Sequence, residues 1–252
     1  MTGDFEELLA EGESVPTAGW DFSWFEGRAT EGRPPWAYQS LLAERLAVAR
    51  HALDLQTGGG EVLAGALTSR PAGSPRVTAT EAWRPNLALA QAALAPWQGA
   101  VVACSETQLP FRDGSFDLVT SRHPIVTPWA EVRRVLRHGG RFLSQQVGAG
   151  SARELTEAML GPYPVGDERA PATARSRATA AGLEVVRMET ASSPMTFADI
   201  AAVIVFLRKV IWIVPGFTVE AFRPQLLRLH ERIERDGPFV ATSERFLIEC
   251  RG

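Results

Sequence analysis

Short apolar runs alternate with longer segments of mixed polarity along most of the chain, from residue 51 onward. The short runs are rich in Val, Leu and Phe and are bounded by Gly, Pro, Asp or Ser, which is typical of buried strands. Strand-type runs that alternate with helical segments predict a parallel sheet covered by helices. The predicted strands are Ala52–Leu55, Arg76–Thr80, Ala100–Cys104, Phe116–Thr120, Arg141–Val147, Leu183–Met188 and Glu244–Cys250.

Five strand–helix units followed by two further strands predict an α/β fold with a doubly wound sheet and a modified edge. One helix is expected over Trp129–Leu136, ending at the His138–Gly140 stop. Residues 1–50 are expected to form an N-terminal helical and aromatic cap. Residues 51–252 are expected to form one domain with an insertion at about 192–240.

The insertion contains the most apolar part of the chain. Phe197–Trp212 is apolar on nearly all faces. A helix there is buried by the core, by a substrate or by a second subunit, so a homodimer is one of the possible interpretations. We expect it to cover an acceptor as a lid. The apolar run Ile200–Val214 contains Arg208 and Lys209 and is shorter than the roughly 20 residues of a membrane span, which argues against membrane insertion.

The predicted cap is unusually aromatic, over Trp20–Phe25 and at Trp36, with Arg28 and Arg33 nearby. Two interpretations stay open. Aromatic and Arg side chains can enclose a ligand over the pocket, or they can simply anchor the extension to the core.

The net charge and the cysteine content argue against several classes of function and of structural site. The formal net charge of −3 offers no field that attracts phosphate backbones, which disfavours nucleic-acid binding. Cys104 and Cys250 lie far apart without metal-ligand spacing, so neither a metal site nor a disulfide framework is expected. The acidic start of the chain lacks the features of a signal peptide, so we expect a cytoplasmic protein.

A glycine-rich turn, Gly58–Gly60, follows the first predicted strand and opens a helix. Glycines allow close backbone approach to a ligand, although a plain tight turn between strand and helix would look the same. Glu81 ends the second strand, about 20 residues further on, where a carboxylate can accept hydrogen bonds from both ribose hydroxyls. Together the two features predict a nucleoside-containing ligand.

Four segments together resemble the class I S-adenosylmethionine-dependent methyltransferases of the small-molecule type. They are Asp54–Glu61, the Glu81 position, Leu109–Val119 with the sequence LPFRDGSFDLV, and Glu131–Gly140 with the sequence EVRRVLRHGG. The resemblance implies a seven-stranded Rossmann-like sheet whose last strand is antiparallel, and S-adenosylmethionine as the cofactor. It implies that Asp54 contacts the amino-acid end of the cofactor, that Gly58 and Gly60 approach it closely, that Glu81 holds the ribose, and that Ala82 or Trp83 flanks the adenine.

Two positions depart from the family pattern. Gln56 replaces the first glycine of the turn, and Ser105, followed by Glu106, stands where the family usually has an acid before the LPF segment. Either side chain can accept a hydrogen bond from the adenine amino group. The full set of expected cofactor-binding residues is Asp54, Thr57, Gly58, Gly60, Glu81, Ala82, Trp83, Ser105, Glu106 and Ser121.

Methyl transfer from an activated sulfonium can proceed by positioning alone, so no catalytic triad is required. If the acceptor needs a base, the candidate is His123, which follows the fourth strand. The alternative is that His123 is only a turn residue, next to Pro124. The expected function is methyl transfer to a small, apolar or aromatic acceptor. The alternatives are an inactive cofactor-binding regulatory protein, a nicotinamide dehydrogenase, whose G-x-G-x-x-G spacing is missing, and an RNA methyltransferase, which the net charge disfavours.

Overall fold

The computed structural model describes residues 4–17, 22–69 and 75–252. The strands within these residues are β1 (Ala29–Glu31), β2 (His51–Leu55), β3 (Arg76–Glu81), β4 (Ala100–Ala103), β5 (Phe116–Arg122), β6 (Leu136–Val147), β7 (Glu184–Phe197) and β8 (Phe239–Arg251). The helices are α1 (Phe5–Ser14), α2 (Tyr38–Val48), α3 (Glu61–Ser69), α4 (Arg84–Leu94), α5 (Trp129–Val135), α6 (Arg153–Leu160), α7 (Pro171–Ala180), α8 (Ile200–Lys209) and α9 (Val219–Asp236).

The strands form a mixed sheet in the order β1-β7-β8-β6-β5-β2-β3-β4. The central pairs, from β4 through β3, β2 and β5 to β6, are parallel, whereas β8 is antiparallel to β6. The winding direction reverses between β2 and β5, which is where doubly wound sheets bind their ligands. The predicted doubly wound α/β sheet with an antiparallel last strand is confirmed.

Within the described residues the sheet has eight strands rather than the seven predicted. The additional strand, β1, is three residues long and pairs with the end of β7, Met195–Phe197. Three residues are too few to show a two-residue alternation, so the sequence pattern contained no signal for this strand. Trp20 and Asp21 of the predicted aromatic cap lie outside the described residues.

The predicted apolar helix begins later than expected, because Phe197 ends β7 and α8 starts at Ile200. The Asp199 side chain accepts a hydrogen bond from the backbone N–H of Ala202 at 2.8 Å. This N-cap satisfies a helix-terminal donor and sets the first residue of the helix.

The chain divides into two compact units. The sheet unit comprises residues 34–148, 167–191 and 245–252, and the helical unit comprises 1–33, 149–166 and 192–244. The sheet unit therefore begins before residue 51, which was the predicted start of the domain, because α2 belongs to this unit. No helix in the described part of the chain is long and apolar enough to cross a membrane.

The helical unit has its core around α8. Its residues Ile200–Val205 and Leu207 are fully buried among apolar side chains of α1, α6 and α9. The predicted lid helix is therefore covered by its own unit. In the sheet unit, apolar side chains cover both faces of the parallel strands, with Leu46 and Leu143 on one side and Leu53 and Phe142 on the other.

Candidate active site

The switch point of the sheet places the end of β2 beside the end of β5. β2 ends in Asp54 and Leu55, and the turn Gln56–Gly60 leads into α3. Gly60 has a φ of 82°, and a Cβ there would lie 3.3 Å from the backbone of Ala90 in α4. A side chain at Gly60 would therefore force α4 away from the turn.

Glu81 joins this turn to the end of β3. Its carboxylate accepts the backbone N–H of Gly58 at 2.8 Å and that of Trp83 at 2.8 Å, and the side chain is largely buried. A carboxylate has about four acceptor positions, so each oxygen keeps capacity for one further donor. Trp83 stands next to it with 46% of its surface exposed, and Ala82 between them is half-buried.

Asp54 is buried beneath the turn. Its Oδ1 accepts the Thr120 hydroxyl at 2.6 Å. Burial raises the pKa of Asp54 from 3.8 to about 6, and the Thr120 and Thr57 hydroxyls oppose part of this rise. The Thr57 hydroxyl is close enough to act on Asp54, yet it is buried without a well-formed hydrogen bond. The end of β2 and the turn after it therefore carry one carboxyl and one hydroxyl with unused bonding capacity.

Gln56 keeps the backbone conformation of the glycine that the family pattern has at this position. Its φ is 53°, in the left-handed region that non-glycine residues rarely adopt. The side chain extends to the loop after β5, where Nε2 donates to the Val126 carbonyl at 2.6 Å and Oε1 accepts the Ile125 N–H at 2.7 Å. Gln56 thus ties the turn after β2 to the loop after β5.

The two residues expected at the adenine end lie after β4. The Ser105 hydroxyl accepts the Gln108 N–H at 3.2 Å, which closes a turn, and Ser105 is exposed. Burial, together with the negative charges of Glu106 and Glu81, raises the pKa of the Cys104 thiol. The backbone N–H of Cys104 donates to the Glu81 carbonyl at 3.3 Å, so the segment after β4 begins beside the end of β3.

His123 follows β5 and belongs to a chain of hydrogen bonds. The Trp36 indole N–H donates to Gln145 Oε1 at 2.7 Å, and Gln145 Nε2 lies 2.9 Å from His123 Nε2. Since an indole can only donate, the amide of Gln145 has its N–H directed at the imidazole, and His123 Nε2 is an acceptor without a proton. Burial and the cations Arg122 and Arg245 lower the pKa of His123 well below 6.5. His123 is therefore a neutral imidazole whose Nε2 lone pair is engaged, and a role as base stays a prediction that requires Gln145 to move.

Ser121 lies inside a neighbouring polar cluster. Its hydroxyl is 2.8 Å from that of Ser144, and its carbonyl accepts the Tyr38 hydroxyl at 2.9 Å. Burial and the negative charge of Asp54 raise the pKa of Tyr38 well above 10. Ser121 is thus close to Asp54, but both of its polar groups already have protein partners.

The two longest family-like segments form one structural clamp rather than a chemical site. Arg134 of α5 donates to the carbonyls of Leu109 and Phe111 at 2.9 and 2.6 Å, and it pairs with Glu131 at 2.7 Å. Glu131 in turn accepts the Leu109 N–H at 2.9 Å. Asp117, at the start of β5, accepts the N–H of His51 at 2.9 Å and so sets the beginning of β2. These residues position the strands that hold the site.

Sequence reasoning did not identify several residues of this region. Thr120, Gln145 and Tyr38 meet the site through hydrogen bonds with residues 22 to 83 positions away along the chain. Thr120 stood at the end of a predicted strand, next to the switch point, and this was the one available signal. The other two lie in segments without a functional pattern.

Comparison with known proteins supports a methyltransferase domain in this chain. Residues 53–144 match a family model described as methyltransferase domain, which runs from the middle of β2 through most of β6. No curated protein matches the chain.

Solved structures share the fold at low sequence identity. A proposed methyltransferase from Bacillus halodurans is 19% identical with a TM-score of 0.59, over 84% of this chain and 97% of the other. An S-adenosylmethionine-dependent methyltransferase from Mesorhizobium loti is 16% identical with a TM-score of 0.51, over 88% and 99%. The [4+2]-cyclase SpnF is 16% identical with a TM-score of 0.53, over 98% and 91%. At these identities the likeness shows the fold alone. The solved structures therefore show the fold, and the family match shows a methyltransferase domain over residues 53–144.

Proposed function

We propose that this protein transfers a methyl group from S-adenosylmethionine to a small-molecule acceptor. The observation that carries the proposal is Glu81. Its carboxylate stands at the end of β3, bonded to the glycine turn, and retains acceptor positions for a ribose beside the exposed Trp83.

The residues at the turn suit this cofactor. Glu81 would accept the ribose hydroxyls, and Trp83 with Ala82 would flank the adenine. Asp54 and the unpaired Thr57 hydroxyl would receive the amino-acid end, with Gly58 and Gly60 allowing close backbone approach. Ser105 or Glu106 would meet the adenine amino group. The Gln56 side chain lies against the loop after β5, where its amide is already paired.

When bound, S-adenosylmethionine supplies a methyl group that is already activated on a sulfonium. The contribution of the chain is to hold both reactants in line and to exclude water, and positioning alone can supply much of the rate acceleration. The Gln56 bridge holds the loop after β5 in place. Burial and neighbouring cations lower the pKa of His123, so the imidazole at the start of that loop adds no positive charge there.

The acceptor is expected to be small, with an apolar or aromatic body, and the protein to act in the cytoplasm. The α8 helix does not support the acceptor side of this proposal, because its apolar residues are packed within the helical unit. The further possibility of a homodimer also stays a prediction.

The proposal is tested by calorimetry with S-adenosylmethionine and S-adenosylhomocysteine. We expect Glu81→Ala to weaken binding of both at least tenfold, because a charged acceptor for the ribose is lost. Glu44→Ala, in the same unit but exposed, is the control and should bind like the wild type. Absence of binding to the wild type would refute the assignment.

A second measurement separates an enzyme from a protein that binds the cofactor without turnover. Methyl-labelled S-adenosylmethionine is incubated with the protein and a small-molecule fraction of a bacterial extract. We expect label to move from S-adenosylmethionine to a different small molecule, separated from it by chromatography, with release of S-adenosylhomocysteine. Cofactor binding without transfer would favour the inactive regulatory protein.

A further inference from the structure

A cavity of about 250 Å³ lies in the sheet unit, at the end of β5 and β6. Its walls come from the loop Pro124–Thr127, from Trp129, from the end of β6, from the segment before α7 and from α7 itself. Its volume is somewhat below the roughly 300 Å³ at which pockets for drug-sized ligands begin. The cavity is therefore suited to a molecule of about one aromatic ring with a short substituent.

One wall of the cavity is apolar. Ile125, Val126 and Trp129 line it, and Ile125 is 64% exposed although it is a large aliphatic residue. Exposed aliphatic side chains beside an indole form a surface that gains free energy when an apolar ring covers them.

Another part of the lining is cationic. Arg169 and Arg177 both line the cavity, and the acidic residue of the lining is Glu168, which is exposed. Burial lowers the pKa of Arg169, yet a guanidinium stays protonated in proteins, so Arg169 adds a positive charge to the lining. Two guanidinium groups against one carboxylate leave the lining with a net positive charge.

The same loop that lines the cavity is held by Gln56. The Gln56 amide pairs with the backbone of Ile125 and Val126, and the side chains of these two residues face the cavity. The cavity therefore adjoins the turn that we assign to the cofactor.

We propose that this cavity binds the acceptor, and that the acceptor is a small carboxylic acid with an apolar or aromatic body. The ring packs on Ile125, Val126 and Trp129, and the carboxylate pairs with Arg169 and Arg177. An Arg fork matches a carboxylate in two parallel hydrogen bonds, which orients the ring relative to the turn after β2. The acceptor role rests on the proposed methyl transfer, whereas the affinity for carboxylates does not.

The test compares carboxylates with their uncharged amides of the same shape. The probes are benzoate, phenylacetate and 3-phenylpropionate, each with its amide, and binding is measured by calorimetry on the full chain. We expect at least one carboxylate to bind tenfold or more tightly than its amide. Arg169→Gln and Arg177→Gln should each weaken that carboxylate about tenfold and leave its amide unchanged, in line with loss of a charge-assisted hydrogen bond.

Arg175→Gln is the matched control, because Arg175 lies on the same helix and is exposed outside the cavity lining. Arg177 is also exposed, so Arg177→Gln tests the proposal even if Arg169→Gln fails to fold. Equal affinities for every acid and its amide, or equal losses in Arg175→Gln and Arg177→Gln, would overturn the proposal. Binding of S-adenosylmethionine is measured on the same samples. If carboxylates bind in this charge-dependent way while S-adenosylmethionine does not, the methyltransferase function fails and the carboxylate site remains.

Discussion

At the residue scale, burial decides the properties of the site. Asp54 has lost most of its contact with water, and the Thr120 hydroxyl compensates for only part of that loss. The same carboxyl on the surface would titrate near 3.8. A carboxyl whose pKa is raised by burial is typical of binding and catalytic sites, although structural positions show it as well.

This shift predicts a pH-dependent cost to stability. A group whose pKa is raised in the folded state contributes stability below its unfolded pKa, and this contribution disappears as the pH rises through the folded value. For Asp54 the window runs from 3.8 to about 6. We therefore expect the stability of Asp54→Asn relative to the wild type to increase between pH 4 and pH 7, by about 3 kcal/mol at most. Urea unfolding across this range measures it, and Asp167→Asn, an exposed aspartate, serves as the control. Parallel stability curves for Asp54→Asn and the wild type would contradict the expectation.

Gln56 offers a second prediction, because backbone strain and side-chain bonding can be separated there. Gln56→Ala keeps the left-handed backbone and loses both bonds to the loop, which should lower the free energy of unfolding by about 2 kcal/mol. Gln56→Gly loses the same bonds but removes the strain, so it should be about 1 kcal/mol more stable than Gln56→Ala.

Gln98 is the matched control, since it has the same φ of 53° and an exposed side chain. There, Gln98→Ala should cost little and Gln98→Gly should stabilise. If Gln56→Ala and Gln98→Ala have the same effect on chemical unfolding, the Gln56 bridge contributes nothing to stability.

At the element scale, contacts between helices explain what the sequence pattern left open. The apolar helix α8 was compatible with a core, a ligand or a subunit contact, and it packs in the core of the helical unit. Arg208 at its end donates to the carbonyls of Gly12 and Val15 at 2.6 and 2.9 Å, so a cation satisfies the end of α1. A charge that seemed to interrupt the apolar run therefore serves as a helix contact.

Two helical glycines test this packing. A Cβ at Gly12 in α1 would lie 2.9 Å from the Ile204 Cβ and 3.3 Å from the Ala201 backbone, so α1 must move away from α8. We expect Gly12→Ala to destabilise the protein by about 1 to 2 kcal/mol despite the better helix propensity of Ala.

A Cβ at Gly65 in α3 would instead meet the end of the Gln39 side chain at 2.6 Å, and that side chain can rotate away. Gly65→Ala should therefore be neutral or stabilising by up to about 1 kcal/mol. Thermal and urea unfolding of both variants measure the contrast, which fails if Gly12→Ala is as stable as Gly65→Ala.

At the scale of the whole molecule, the methyltransferase fold supplies a position for the site but does not choose the reaction. Among similar structures, one is described as a [4+2]-cyclase and others as methyltransferases. The side chains at the switch point must therefore carry the functional argument.

Ion pairs between distant segments hold the strands of the sheet in place. The buried Glu249 of β8 accepts Arg45 of α2 at 2.8 Å and Arg141 of β6 at 3.0 Å.

The sequence by itself determined the features that depend on local pattern. Apolar runs marked the strands from β2 to β8, and the glycine turn with Glu81 marked the end of the sheet where we propose that a nucleoside binds. Strand and helix preferences arise from neighbouring residues, so they can be read along the chain. The sequence did not predict β1, because three residues are too few to show a two-residue alternation.

The tertiary structure alone decided which groups meet. Asp54 acquires its pKa from burial, His123 its protonation state from Gln145 and Trp36, and Gln56 its partners from a loop about 70 residues away. Arg169, which precedes α7, and Arg177, within α7, line the same cavity as the loop after β5, although that loop lies far from them along the chain. Desolvation and hydrogen bonding between distant residues arise only when the chain is folded, so no local pattern contains them.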